Sequence, residues 1–248
     1  MGKKISKYKR EQKARDVGGE SPRPPLSPPR YAKRSDEDTE DYRLGYPGKC
    51  DVKKADKNII FYQNKMKSIP DGDYIDNIHA DWKGKYTLLE THQGYIHWLF
   101  PIRESASNWH AQELQLHEIQ AIKEDPVAYG RVRTSYELML DFFGIKLIDK
   151  HTGKLARADN WEERFENLNS TFHNYTRITR ILKSLGELGY EHYQAPFVDF
   201  ILDEAFKRKT LNGQVLKSCI DYWVGTVKNE KARRKLLKKS SRHNWDQN

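Results

Sequence analysis

Lys85-Tyr86-Thr87-Leu88-Leu89-Glu90-Thr91-His92-Gln93-Gly94-Tyr95-Ile96-His97-Trp98-Leu99-Phe100-Pro101 is the stretch on which the reading of the fold turns. The apolar side chains Leu88, Leu89, Tyr95, Trp98, Leu99 and Phe100 flank a polar step, Glu90 to Gln93, that leads into Gly94. Period counting fits two short amphipathic helices broken near Gly94. The second must stop before Pro101, because the residue preceding a proline avoids helical angles. Nothing here resembles a nucleophile with its base, a phosphate loop or a metal cage. His92 and His97 lie five apart and diverge on a helix, so each reads as a core or helix-end histidine rather than a metal ligand.

Outward from this block the period stays helical from Lys53 onward, punctuated at Pro70-Asp71-Gly72, Gly84, Pro126, Gly144, Gly153, Gly189 and Gly213. The pattern predicts an all-α fold, a single multi-helix globular domain over residues 49–227. Ile59 to Met66 reads as a first helix ending before Pro70. Tyr74, Ile75, Ile78 and Trp82 give a second, with Asp73 as N-cap. Glu113 to Lys123 and Val127 to Phe143 follow, the latter closed by Gly144. Phe172 to Leu188 is the strongest helix: Tyr175, Ile178, Ile181, Leu182, Leu185 and Leu188 form its stripe, with Arg177, Arg180 and Lys183 off it. A further helix starts near Pro196, and Val215 to Val227 packs as the last. Ile145 to Leu155 is the one segment expected to be extended, as a small β-hairpin around Thr152-Gly153.

The bulk properties agree with a folded body between polar ends. A mean hydropathy of −0.92 with 32% charged residues favours disorder, but 12% aromatic residues and six tryptophans supply a core. Residues 1–34 carry +8 and residues 228–248 carry +6 of a total of +9, which leaves −5 for residues 35–227. Two basic ends on a mildly acidic body argue against nucleic acid as a partner of the folded part. Cys50 and Cys219 are too few for a disulfide framework and fit a reducing compartment. No apolar run approaches the ~18 residues of a membrane span, so any membrane contact is expected through an anchor.

Residues 1–48 read as a disordered arm. Met1-Gly2-Lys3-Lys4-Ile5-Ser6 fits the N-myristoylation pattern, in which Gly2 takes the acyl chain. Lys3, Lys4, Lys7, Lys9, Arg10, Lys13 and Arg15 then form a basic run for an anionic membrane surface. One myristoyl chain binds only at about 10⁴ M⁻¹, and basic residues add about 1 kcal/mol each, so the two signals together predict attachment at the cytoplasmic face. Ser21 to Arg30 is a proline-rich spacer in which Pro25, Pro28 and Arg30 match a P-x-x-P-x-R docking pattern for an SH3-type domain. An acidic run from Asp36 to Asp41 follows, and the domain boundary is expected between Tyr42 and Asp51. Residues 228–248 read as a basic C-terminal tail.

Candidate catalytic groups fail one by one. His117-Glu118 lacks the second histidine of a zincin helix, since position 121 is alanine. Asp149, Asp159, Glu162, Glu163 and Glu166 have no companion motif and read as solvated faces. Gly186 and Gly189 have no preceding strand, which excludes a phosphate loop. No catalytic residue, metal ligand or cofactor is expected.

Three blocks carry a family resemblance: Gly94-Tyr95-Ile96-His97-Trp98-Leu99-Phe100-Pro101, Asn108-Trp109-His110-Ala111, and the thirteen residues from Arg177 to Gly189, R-I-T-R-I-L-K-S-L-G-E-L-G. With Tyr136 to Leu140 and Gln194-Ala195-Pro196 they resemble the N-terminal domain of the opioid growth factor receptor family, over roughly residues 55–227. The resemblance implies an all-α, non-enzymatic receptor domain unrelated to seven-helix receptors, associated with methionine-enkephalin and with growth regulation, in the cytoplasm, around the nucleus or within it. It carries over no ligand residue. An opioid peptide's amine requires an acid near an aromatic cleft, for which Glu90 and Glu187 are the candidates. The competing expectation is a nuclear or nucleic-acid-associated adaptor that uses the basic termini.

Overall fold

The computed structural model describes residues 39–105 and 108–243. Gly2, the basic run Lys3, Lys4, Lys7, Lys9, Arg10, Lys13 and Arg15, and the docking residues Pro25, Pro28 and Arg30 lie outside the described residues. Within them the chain is all-α apart from one two-stranded hairpin.

A helical turn over 39–43 (α1) precedes α2 (Lys57–Tyr62), α3 (Ile75–Asp81), α4 (Tyr86–Thr91) and α5 (Tyr95–Leu99). The break at Gly94 and the stop before Pro101 fall where the sequence places them. Trp98 is fully buried between the halves of this region, with its ring 5.5 Å from Phe61 and its Nε1 donating to Ile69 O at 2.9 Å. Tyr62 donates its hydroxyl to Leu99 O at 2.5 Å, which satisfies a carbonyl at the end of α5.

Helix α2 stops earlier than its apolar pattern suggests. Asn64 adopts φ of 60°, and Lys65 N returns to Ile60 O at 3.0 Å, a left-handed closure of the helix. That turn aims Asn64 Oδ1 at Asp76 N, 3.1 Å away in the first turn of α3. Asp73, the expected cap, accepts only from Tyr74 N on its own loop among the backbone donors.

Helix α6 (Leu116–Glu124) begins three residues after Glu113, because Leu114 N is held by Ile102 O at 2.9 Å and a Gln115–Glu118 capping box sets the start. The fully buried Glu118 carboxylate also accepts from Asn58 N at 2.9 Å and Ile59 N at 3.3 Å, so one side chain caps α6 and α2 together. Asp125 caps α7 (Pro126–Phe142) through Val127 N and Ala128 N. Gly144 then turns at φ of 76°, where a Cβ would lie 2.8 Å from Trp161 Cα.

The expected hairpin is present as β1 (Ile145–Asp149) paired antiparallel with β2 (Lys154–Arg157), with Leu147 opposite Leu155. It extends two residues past Leu155, where Arg157 stacks over Trp161 at 3.7 Å and pairs with buried Glu204 at 2.6 Å. Helices α8 (Trp161–Ser170), α9 (His173–Glu187) and α10 (Gln194–Phe206) complete the centre. Helix α10 starts before Pro196 because Gln194 is drawn inward, donating to Leu182 O and Tyr42 OH, both at 2.8 Å.

The predicted last helix is split: α11 (Gly213–Ser218) passes into a π-helical turn (Cys219–Trp223) and a 3₁₀ turn (Val224–Thr226). Packing also runs past both expected boundaries. Thr39 and Tyr42 of α1 are buried, Tyr42 over Gly186, and α12 (Glu230–His243) seats Leu236 inward while Lys239 pairs with Asp199 and Asp203 of α10. Among the described residues no helix is long and apolar enough to cross a membrane.

Candidate functional site

Arg177, Arg180 and Lys183 recur every three residues along α9, and by helical period they stand off its apolar stripe. Standing off the stripe does not leave this side exposed. It faces the α4–α5 segment, and Arg177 and Lys183 are buried. Arg177 donates to Leu89 O at 2.8 Å, Glu90 O at 3.0 Å and His92 O at 3.5 Å, so its guanidinium caps the carbonyl end of α4. Arg180 donates to Phe100 O at 3.3 Å beyond α5. Lys183 pairs with Glu104 at 2.7 Å, and the same carboxylate oxygen accepts the Tyr46 hydroxyl at 2.6 Å. The two most distinctive sequence blocks are therefore clamped to each other.

Where the clamp widens, a cavity of about 650 Å³ opens between α5 and α9. Ile96 and His97 form one wall, Arg177, Arg180 and Lys183 the opposite one, and Phe172, Tyr175 and Tyr222 close an aromatic end. Phe172 stands edge-on to Tyr175 with ring centroids 5.7 Å apart and remains 61% exposed, a large apolar group left at the rim.

The electrostatics of this space are lopsided. Burial lowers Arg180 to about 10, against the opposing field of Glu104. Burial, together with the charges of Arg180 and Arg177, holds His97 down to about 4, so the imidazole is neutral at pH 7. Among the described residues Glu104 is the acid on the cavity wall, and it is shared between Lys183 and Tyr46.

Glu90 and Glu187, the acids expected to meet a peptide amine, are not on this wall. Burial works to raise Glu90, yet hydrogen bonds from Asn167 and Asn174 and the charges of His173 and Arg177 hold it below the usual range. Glu187 is raised by burial and partly offset by Lys228, 3.5 Å away. Glu104 gave no sequence signal, since it sits in a loop past Pro101 and gains its place only through Lys183, seventy-nine positions on.

The remaining candidates fall where the sequence put them or without chemistry between them. Among the described residues no group of three His, Cys, Asp or Glu side chains is placed to hold a metal ion. His117 contacts Ala55 O, while Asp159, Glu162, Glu163 and Glu166 are exposed. Trp109 of the Asn108-Trp109-His110-Ala111 block is 82% exposed, its ring 3.5 Å from His110.

Residues 51–248 match the family described as the opioid growth factor receptor conserved region. A mouse (Mus musculus) protein named opioid growth factor receptor-like protein 1 is 47% identical over 232 residues, covering 92% of this chain and 49% of that protein. The human (Homo sapiens) opioid growth factor receptor is 46% identical over 198 residues, 79% of this chain and 29% of the receptor. The chain thus spans about half or less of the curated relatives it matches. No solved structure matches it.

Proposed function

The chain belongs to the opioid growth factor receptor family, and we propose that it is a non-enzymatic receptor for a short opioid peptide, methionine-enkephalin, with a part in growth regulation. The observation that carries the reading is the cavity between α5 and α9. Its volume of about 650 Å³ lies within the ~300–1,000 Å³ common for small-ligand sites. It pairs an aromatic end at Phe172, Tyr175 and Tyr222 with a charged wall, as a peptide with aromatic side chains and ionised termini requires. The name of the human relative, opioid growth factor receptor, supports the same assignment. Calorimetric titration of the full chain with methionine-enkephalin checks it: saturable binding at micromolar or tighter affinity is expected, and an absence of heat and of any spectroscopic change contradicts it.

We further propose that the arm attaches the receptor to membranes. Its support is the sequence Met1-Gly2-Lys3-Lys4-Ile5-Ser6 followed by the basic run to Arg15. On expression in eukaryotic cells Gly2 should gain the mass of a myristoyl group, and Gly2→Ala should leave the membrane fraction. An unmodified glycine in that position rules the attachment out.

A further inference from the structure

We propose that Arg180 is the anchor for the ligand's free C-terminal carboxylate, so that the cavity selects short peptides ending in an ionised carboxyl group beside an apolar last residue. This rests on the peptide-receptor reading of the cavity and specifies how that peptide is held.

The argument begins with which cations are available. Arg177 is committed to the carbonyls of Leu89, Glu90 and His92 and to Asn174 Oδ1. Lys183 is committed to Glu104. Arg180 differs: among the described residues its guanidinium donates one hydrogen bond, to Phe100 O at 3.3 Å, and has no ion pair. A guanidinium carries five N–H donors in a planar fork, so most of this group's hydrogen-bonding capacity is unused on the wall of a cavity. None of its nitrogens is a sealed, partnerless core atom, so the remaining donors are open to a ligand, and a carboxylate that accepts two parallel N–H bonds is the one whose geometry fits the fork.

The surroundings favour one anion and one orientation. Among the described residues the cavity wall adds Arg177 and Lys183 to Arg180 and opposes them with Glu104, while His97 is neutral. The described lining carries three cationic side chains against one carboxylate, which favours an acidic terminus over an ammonium. Ile96 and the rim residue Phe172 border the same space and offer apolar surface to the side chain adjoining the carboxylate.

The test is a four-way calorimetric cycle on the full chain: methionine-enkephalin and its C-terminal amide, each against the unsubstituted protein and Arg180→Gln. Loss of a charge-assisted pair predicts that the amide binds the unsubstituted protein about tenfold to a hundredfold more weakly than the acid. In Arg180→Gln the acid should weaken to the level of the amide, with the amide itself little changed, and Arg180→Lys should recover part of the difference. A thermal melt of each variant reports its folding, and the acid-to-amide ratio on the unsubstituted protein needs no variant. Equal binding of acid and amide, or a ratio that survives Arg180→Gln, overturns the assignment to Arg180 and leaves the receptor reading standing. Failure of both peptides to bind the unsubstituted protein overturns both.

Discussion

His97 lies inside the segment Gly94 to Pro101 that first marks this chain, and its imidazole is kept neutral by burial and by two arginines. His79 is likewise lowered to about 4 by burial, with its Nε2 2.8 Å from Ser135 Oγ. In both, the folded value lies below the ordinary 6.5, so the unfolded chain binds protons first as pH falls. Their contribution to stability is complete above pH 6.5 and is lost as pH falls to about 4. Glu118 and Glu187, whose carboxyls are raised by burial, act in the opposite sense. The histidine share is therefore read as a difference. Melting temperature measured from pH 7 to 4 should fall less steeply in His79→Gln/His97→Gln than in the parent chain, and parallel curves would contradict the burial of the two rings.

At the scale of elements, two glycines separate backbone need from helix propensity. Gly144 holds φ of 76° with no room for a Cβ, whereas Gly130 sits inside α7 with nothing within 4 Å of the position a Cβ would take. Gly130→Ala should stabilise by about 0.5–1 kcal/mol. Gly144→Ala should destabilise by more than about 1 kcal/mol, from left-handed strain plus the clash with Trp161. Urea denaturation of the two variants checks the pair, and equal shifts would refute the distinction.

The same scale shows what a sequence can carry. The α4–α5 break, the stop before Pro101, the cap at Gly144 and the hairpin are decided within a few residues and were legible. The capping box of Gln115 and Glu118, which sets the start of α6, was not read, because glutamine is not a usual N-cap residue and the apolar pattern put the start at Glu113. The cross-chain devices were not: Asn64 reaching Asp76, Glu118 reaching α2, and Gln194 reaching Tyr42 each depend on a partner from a distant segment. Arg177, Arg180 and Lys183 were placed on the correct side of α9, but one helical period cannot say that a second layer covers that side.

Over the whole molecule, the family was legible from three motifs, and two of them turn out to face each other. Gly94 to Pro101 supplies α5, Arg177 to Gly189 supplies most of α9, and Arg180 of the second closes Phe100 O of the first while Arg177 closes the end of α4 just ahead of it. The candidate site exists because this clamp does not fill the space between the helices. Its cavity lies between segments about eighty residues apart, which is why no local motif announced it and why neither Glu90 nor Glu187 proved to line it. At the ends, α1 and α12 are seated on the body by Tyr42 and Leu236, so the packed unit is larger than the apolar pattern suggested.

The claim that this cavity is a peptide site is tested most directly by amide chemical-shift mapping of the isotopically labelled chain during titration with methionine-enkephalin. The account predicts saturable shifts concentrated at Ile96 and His97 on α5, from Phe172 to Lys183 along α9, and at Tyr222. Shifts scattered over the surface, centred on another face, or absent at millimolar peptide would contradict it.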